Sequence, residues 1–220
     1  MTFQWDVVLD RLPDLWLGAQ VTVLAFLVAL GLGLPLGAVL CAGRLRGRGL
    51  WAGLAGAYIG VFRTIPEIVL IFWMFYCLPP LLGVTVSGLW TGSLALALVA
   101  AAYLAEIMRA GVQSVAPGQW EAASALGLGR WPLWARVVLP QALKVATPPF
   151  INFLTELLKG TTLLATVGVA DLALKAYVLG AQTFRYLEFL TAVALVYFVI
   201  IFPVARLADM VERRLARGQR

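Results

Sequence analysis

Three long runs without a charged residue constrain the fold of this chain more than any other feature. They cover residues 15–42, 68–105 and 189–205. A bilayer core is about 30 Å thick, so a spanning helix needs roughly 20 apolar residues in succession. With 62% hydrophobic and 13% charged residues among 220, the chain has too little polar surface for a water-soluble globule. The sequence therefore predicts a polytopic membrane protein.

The apolar runs are continuous, whereas the strands of a membrane barrel would alternate over about ten residues. The predicted fold class is therefore all-α. The middle run is long enough for two passes, and Pro79, Pro80, Gly83, Ser87 and Gly88 interrupt it where a turn is needed. We predict five transmembrane helices at about 14–42, 56–78, 91–110, 138–158 and 187–207. A glycine-rich stretch, 51–60, opens the second span, and its position at the interface or in the membrane stays open.

Basic residues near helix ends predict the orientation, because cytoplasmic loops are enriched in Lys and Arg. They are Arg44, Arg46 and Arg48 after the first span, Arg109, Arg130, Arg136 and Lys144 between the third and fourth, and Arg206, Arg213, Arg214, Arg217 and Arg220 at the end of the chain. The linker 79–90 is uncharged, and the N-terminal arm holds three aspartates against one arginine. We therefore expect the N-terminus outside and the C-terminus in the cytoplasm.

Several other function classes have little support in the sequence. The net charge of +6 comes from arginines at membrane ends and not from a groove-sized patch, so nucleic acid is not an expected partner. The first span is too long, and its leader too acidic, for a cleaved signal peptide. Cys41 and Cys77 lie near opposite ends of their spans and are expected to be unbonded, packed side chains. With no histidine, we predict neither a metal site nor a catalytic cluster.

The third connection, 114–143, is too long for a simple turn. Pro117-Gly118 breaks the preceding helix, and residues 120–126 predict a short helix with Glu121 in its first turn. Gly127 and Gly129 can adopt the left-handed backbone conformation that ends a helix. Pro132 suits the start of a second short helix, which runs into Leu139-Pro140. From the residues alone, this pair of helices is either a rigid projection that contacts a soluble partner or an interfacial hairpin anchored by its tryptophans.

The same connection resembles the EAA loop of ABC import permeases. The shared features are Glu121-Ala122-Ala123, Gly127 four residues later, and Leu139-Pro140. Further motifs look like the polar amino acid uptake branch of that family: Arg63-Thr64-Ile65-Pro66, Tyr103-Leu104-Ala105-Glu106-Ile107-x-Arg109, Gly118-Gln119-x-Glu121, Leu139-Pro140-Gln141-Ala142 and Lys159-Gly160-Thr161-Thr162-Leu163. The resemblance covers nearly the whole chain, which we interpret as one permease transmembrane domain, 1–220, with a coupling loop at about 114–140.

The resemblance implies a type I importer permease that is not itself an enzyme, in the inner membrane of a bacterium. Its partners would be two ATPase subunits that use ATP and Mg²⁺, a second permease half, identical or related, and an extracytoplasmic solute-binding protein, with lipid around the helices. The chain itself has no phosphate-binding loop, so no cofactor is expected on it. The residues implied in ATPase coupling are Glu121, Ala122, Ala123, Gly127, Leu139 and Pro140.

This chain departs from the family pattern at two places. After Arg63 it reads Thr64-Ile65-Pro66 where the family usually has Gly-Thr-Pro or Gly-Val-Pro. The usual Lys-Asp-Thr-Ser run appears as Lys159-Gly160-Thr161-Thr162. Both changes lie near the expected solute pathway and outside the docking loop, so they bear on the substrate more than on coupling.

Charges away from span ends are the candidates for the solute pathway, because each costs about 2.5–3.5 kcal/mol on insertion scales at the bilayer centre. Arg63 and Glu67 are spaced i, i+4, and are expected to share a helix face beside Pro66. The second set comprises Glu156 and Lys159 with Asn152 one turn earlier, and Gln20 and Thr22 are lesser candidates. Either set could be a structural ion pair or a site for the ammonium and carboxylate of a solute. Similar permeases with an acidic residue after this proline favour a basic amino acid or an opine.

Five helices rarely enclose a pathway alone, which predicts a dimer of permease halves. Glycines spaced four residues apart permit close helix approach, either between subunits or within one: Gly33 and Gly37, Gly49 and Gly53, Gly56 and Gly60. The main alternative function is an ion-driven secondary carrier for amino acids, which would also use intramembrane carboxylates but would need no docking loop.

Overall fold

The computed structural model describes the backbone of residues 3–217 and the side chains of residues 3–213. Within that range every regular element is a helix. The helices are α1 (Asp6–Leu9), α2 (Leu12–Leu45), α3 (Leu50–Thr64), α4 (Glu67–Phe72), α5 (Leu78–Leu82), α6 (Gly88–Gln113), α7 (Pro117–Ala125), α8 (Arg130–Pro132), α9 (Leu139–Gly160), α10 (Leu172–Thr183) and α11 (Tyr186–Arg217). Of the basic residues used to predict orientation, Arg220 and the side chains of Arg214 and Arg217 lie outside the described part.

The helices α2, α6 and α11 are each long and apolar enough to cross a membrane. Two further candidates are bent: α3 with the helical run from Glu67 to Leu82, and the run from Arg130 to Val167 with α10. Counting each bent pair as one span gives five. The predicted all-α class is confirmed, and the five predicted spans correspond to these three helices and two bent pairs.

The second span is broken between α3 and α4. Ile65 and Pro66 have extended backbone conformations (ψ 129° and 131°), and the two helical parts meet at 102°. Proline cannot donate a helical hydrogen bond and disfavours helical geometry at the residue before it. The prediction that Arg63 and Glu67 share a helix face was therefore wrong, because they lie on either side of this break.

Two π-helical segments continue helices where the next turn contains proline. They are Trp73–Cys77, before Pro79 and Pro80, and Leu133–Val138, before Pro140. A proline leaves a carbonyl of the preceding turn without its usual donor, and a wider turn accommodates the changed register. Pro79 and Pro80 thus lie inside α5, and the turn assigned to them comes later, at Gly83, which has φ 65°.

The core of the bundle is the crossing of α2 and α6. Gly33 and Gly37 of α2 face a run of small residues on α6, where Ala100 and Ala101 are completely buried. A Cβ added at Gly33 would lie 2.8 Å from the Ala100 Cβ, and one at Gly37 would lie 2.9 Å from the Ala101 carbonyl oxygen. Of the two roles left open for this pair, the structure shows packing within the chain. Gly53 of α3, by contrast, faces open space.

The fourth span is longer than predicted, and a helix that the sequence did not suggest follows it. The helix continues beyond position 158 through Gly160 and a 3₁₀ segment, Thr161–Val167. Then α10 begins with a side-chain cap, in which Asp171 accepts a hydrogen bond from the Leu174 backbone N–H at 2.8 Å. Its apolar side packs with α11 and the N-terminal part of α2 around Phe189, which is fully buried.

Candidate functional site

The short helix α7 lies between α6 and α8 in the chain and carries three of the six residues implied in coupling. It begins at Pro117, three residues earlier than predicted, so Glu121 lies beyond the first turn and gains less from the helix dipole than expected. Gly127, at φ 69°, ends the helix as predicted. The left-handed ending predicted for Gly129 was wrong, since its φ of −62° is an ordinary value.

Aromatic and amide contacts hold α7 against the start of the fourth span. The rings of Trp120 and Trp134 meet edge to face with centroids 5.6 Å apart. The Trp120 indole N–H donates to the Val115 carbonyl at 3.4 Å, and the Gln141 amide donates to the Gln119 side-chain oxygen at 3.4 Å. The N-terminal half of α7 is therefore fixed to the fourth span and to the segment that precedes α7.

The coupling candidates divide into an outer and an inner set. Glu121, Ala122 and Gly127 are exposed, and so are Leu139 and Pro140 at the start of α9. Ala123 is 3% exposed and faces inward, so it contributes to the packing of α7 and not to its outer surface. We define the coupling surface as Glu121, Ala122 and Gly127.

Arg63, the pathway candidate on α3, contacts an aromatic side chain of α6. The Arg63 guanidinium lies 5.3 Å from the centre of the Tyr103 ring, which stacks on Phe153 of α9 at 5.6 Å. Such a cation–π contact holds an arginine in place without neutralising it. The carboxylate that experiences the charge of Arg63 is Glu106, which is itself bound by both arms of Arg109 at 3.0 and 2.5 Å. Glu106 and Arg109 thus form an ion pair.

A second group of candidates joins α4 to α9. Glu67 is half-buried at the start of α4, and its Oε2 lies 3.2 Å from where a Cβ on Gly160 would be. Glu156, one turn before Gly160, is near enough for its charge to act on Glu67. The predicted pairing of Glu156 with Lys159 is present at 2.8 Å, and both side chains are more than half exposed in the single chain.

The remaining candidates lie apart from each other. Asn152 is exposed on α9 one turn before Glu156, on the same helix as the second group. Gln20 is exposed on α2, whereas Thr22 is buried, and its hydroxyl accepts a hydrogen bond from the Leu172 N–H at 3.1 Å. Thr22 therefore belongs to the junction of α2 with α10.

Two structural features were not singled out from the sequence. Gly160 was noted only as a departure from a family pattern, yet it leaves the space beside Glu67 open. Asp171 received no role, although it is fully buried at the start of α10. A lone aspartate between apolar runs was the available signal, but it does not reveal whether the side chain points inward.

The matched family covers most of the chain. Residues 19–217 match the family described as binding-protein-dependent transport system inner membrane component. That range includes every coupling and pathway candidate discussed above.

Three relatives match this chain over nearly their full length. The chain is 33% identical to the arginine transport system permease protein ArtQ of Bacillus subtilis, over 98% of each chain. It is 31% identical to the glutamate/aspartate import permease protein GltK of Escherichia coli O157:H7, over 97% of this chain and 99% of that protein. It is 30% identical to the probable amino-acid ABC transporter permease protein YckA of B. subtilis, over 98% and 97%.

Solved structures share the arrangement of helices. A chain of an amino acid ABC transporter crystallised with histidines superposes with a TM-score of 0.86 at 30% identity, over 97% of this chain and all of that one. A chain of the inward-facing MetNI methionine ABC transporter reaches 0.68 at 22% identity and supports the fold alone. An ion-driven carrier has no support in these matches. The chain belongs to the family of binding-protein-dependent transport system inner membrane components, among the permease subunits of amino acid ABC transporters, proteins that carry out transport while a separate subunit is the ATPase.

Proposed function

We propose that this chain is one permease half of an ATP-driven importer for a polar amino acid, with a preference for a basic amino acid or an opine. The N-terminus lies outside and the C-terminus in the cytoplasm, which agrees with the arginines near Arg44 and with the acidic N-terminal arm. The whole chain is one transmembrane domain. Relatives that carry arginine and glutamate/aspartate in their names support amino acids as the class.

The preference for a cationic solute depends on two carboxylates. Glu67 and Glu156 come from different helices, and their negative charges act on each other. Repulsion between two neighbouring negative charges is unfavourable. A guanidinium or ammonium group between them would relieve it. Lys159 stays with Glu156 in the absence of solute and is exposed enough to move aside.

The α-carboxylate of the solute would be bound by Arg63. Its guanidinium is held on the Tyr103 face and remains exposed, so its N–H groups can donate to a carboxylate. The break at Ile65–Pro66 lies between Arg63 and Glu67, which separates the cationic and anionic ends of the site along the second span. Asn152 adds an uncharged polar group on α9, and Gln20 and Thr22 remain lesser candidates on α2.

Coupling to ATP hydrolysis takes place at the coupling surface. An ATPase dimer that binds ATP and Mg²⁺ would grip α7, and its closure would move α7 together with the start of the fourth span, because Trp120 and Trp134 connect the two. Leu139 and Pro140 lie at the point where the π segment becomes α9 and would carry that movement into the membrane. A second permease half and an extracytoplasmic solute-binding protein complete the transporter.

The test is uptake of labelled arginine, glutamine and glutamate by the transporter reconstituted in vesicles with its ATPase and binding protein. We expect ATP-dependent uptake of arginine to exceed that of the other two. The Glu67→Gln variant should lower arginine uptake more than glutamine uptake, because only the cationic side chain uses the carboxylate.

Assembly of the variant with the ATPase provides the control. ATPase activity in the presence of the binding protein should persist in Glu67→Gln. Equal loss of uptake for all three amino acids would contradict a role in selectivity. If the Glu67→Gln variant takes up arginine with the kinetics of the wild type, Glu67 has a structural role and no role in solute binding.

A further inference from the structure

A buried polar cluster lies where α2, α10 and α11 meet, apart from the coupling surface and from the two carboxylates of the pathway. A Cβ at Gly18 would be 2.9 Å from both the Asp171 carbonyl oxygen and the Leu172 Cα, so only glycine allows this approach. One turn later, the Thr22 hydroxyl donates to the Gly18 carbonyl at 3.2 Å and accepts from the Leu172 N–H at 3.1 Å. The backbone at the start of α10 is therefore held firmly against α2.

Two buried oxygens in this cluster have no hydrogen-bond partner. The Oδ1 of Asp171 caps α10, but its Oδ2 is unpartnered among the described residues, and the residue is completely buried. The hydroxyl of Tyr197, from α11, is also buried and unpartnered in the same part of the chain. It lies beside the hydroxyls of Thr22 and Thr161 and near the Asp171 carboxyl. Unsatisfied buried oxygens are rare, and each needs a physical explanation.

No ion pair to Asp171 is present among the side chains of residues 3–213. Lys175, one turn further along α10, makes no ion pair within residues 3–213, and its Cγ packs toward Gly18. Lys159 of α9 lines a cavity with Tyr197 but is bound to Glu156. Arg185, just before α11, is bound to Glu188. The hydroxyls of Thr22, from α2, and of Thr161, from the 3₁₀ segment, lie near the Tyr197 hydroxyl. An isolated ionised carboxylate in such surroundings is strongly unfavourable.

We propose that Asp171 is a proton-binding site and is held as a neutral carboxylic acid with its proton on Oδ2. The proton removes a negative charge that has no partner among the described residues of this cluster. The Tyr197 hydroxyl lies near enough for the charge of Asp171 to act on it, so the two side chains are coupled.

The proton would fix the bend of the fourth span. Asp171 lies in the break at which that span turns by 49° into α10, and its neighbours come from α2 and α11. Holding the segment between α9 and α10 in one conformation would fix the position of α9, which carries Glu156 of the pathway. Asp171 is therefore a positioning residue that acts through helix geometry and does not touch the solute.

The test uses the complete transporter in lipid at neutral pH and compares Asp171→Asn with Asp171→Leu. Asn places a neutral N–H donor where the acid would have one, so we expect its melting temperature and uptake to match the wild type. Leu has similar size but neither cap nor donor, and should lower the melting temperature by several degrees. Infrared spectra should show a protonated-carboxyl band in the wild type that is missing from Asp171→Asn.

Three results would overturn the proposal. One is the absence of that infrared band combined with equal destabilisation by Asn and Leu, which would indicate an ionised carboxylate. A second is a sodium-dependent rise in melting temperature in the wild type but not in Asp171→Asn, which would indicate a metal cation in place of the proton. The third is full additivity of Asp171→Leu and Tyr197→Phe, which would show that the two side chains do not interact.

Discussion

Adding one methyl group at Gly37 should loosen the bundle, while the same change at Gly31 should not. Both glycines are on α2, so Gly→Ala brings the same gain in helix propensity, about 1 kcal/mol, at each position. The difference is in packing. The new Cβ at Gly37 would lie 2.9 Å from the Ala101 carbonyl oxygen and 3.0 Å from the Leu104 Cβ, whereas nothing lies within 4 Å of the Cβ at Gly31.

The neighbours of Gly37 cannot move aside, because they are backbone and a Cβ atom. Overpacking of this kind costs about 1–3 kcal/mol. For a chain of this length, each kcal/mol changes the melting temperature by roughly 2–4 °C, so Gly37→Ala should melt about 2–12 °C below Gly31→Ala. Comparing the two variants removes the common propensity gain and leaves the packing cost.

The assay is thermal unfolding of the purified transporter in detergent, together with its subunit composition by size-exclusion chromatography. We expect Gly37→Ala to keep its partners but melt earlier. If it melts with Gly31→Ala, the crossing of α2 and α6 is looser than these distances require. If it loses the second permease half without a change in melting temperature, this glycine pair contacts another subunit, and our interpretation of the α2–α6 interface is wrong.

Two further changes test the sites. The variant Glu121→Lys reverses a charge on the coupling surface. We expect it to abolish uptake and stimulated ATPase activity while the chain still inserts into the membrane. Coupled uptake at the normal rate would refute the docking role, and Glu121→Asp is the conservative control. The variant Gly160→Asp places a second carboxylate beside Glu67, where a Cβ is already 3.2 Å from its Oε2. We expect it to change the KM for arginine, and equal KM values for wild type and variant would show that this space is not part of the pathway.

Several structural features could be predicted from the sequence because they depend on local properties. Hydropathy adds up along a run of residues, so the charge-free stretches were enough to predict helices in a membrane. Pro117 and Gly127 were enough to predict the boundaries of α7 to within a few residues, because both act on their own backbone. Cys41 and Cys77 were expected to be unbonded and packed. Both are free, but only Cys41 is buried, and the packing predicted for Cys77 was wrong because its side chain is exposed.

Contacts between helices were beyond the reach of the sequence. The i, i+4 spacing predicted a shared face for Arg63 and Glu67, but the 102° bend at Pro66 separates them. Local rules state that a proline disturbs a helix, yet the size of the bend is set by what the two halves pack against. For the same reason, Ala123 could not be recognised as an inward-facing residue of α7.

The sequence by itself determined that this protein lies in a membrane, that it is helical and to which family it belongs, since each of these follows from residue type and order along the chain. Only the tertiary structure decided that Gly37 packs inside the subunit, that Glu67 lies beside Gly160, and that Asp171 is sealed among α2, α10 and α11. The physical reason is that burial and electrostatic environment depend on side chains far apart in sequence, which meet only after the helices have bent and crossed.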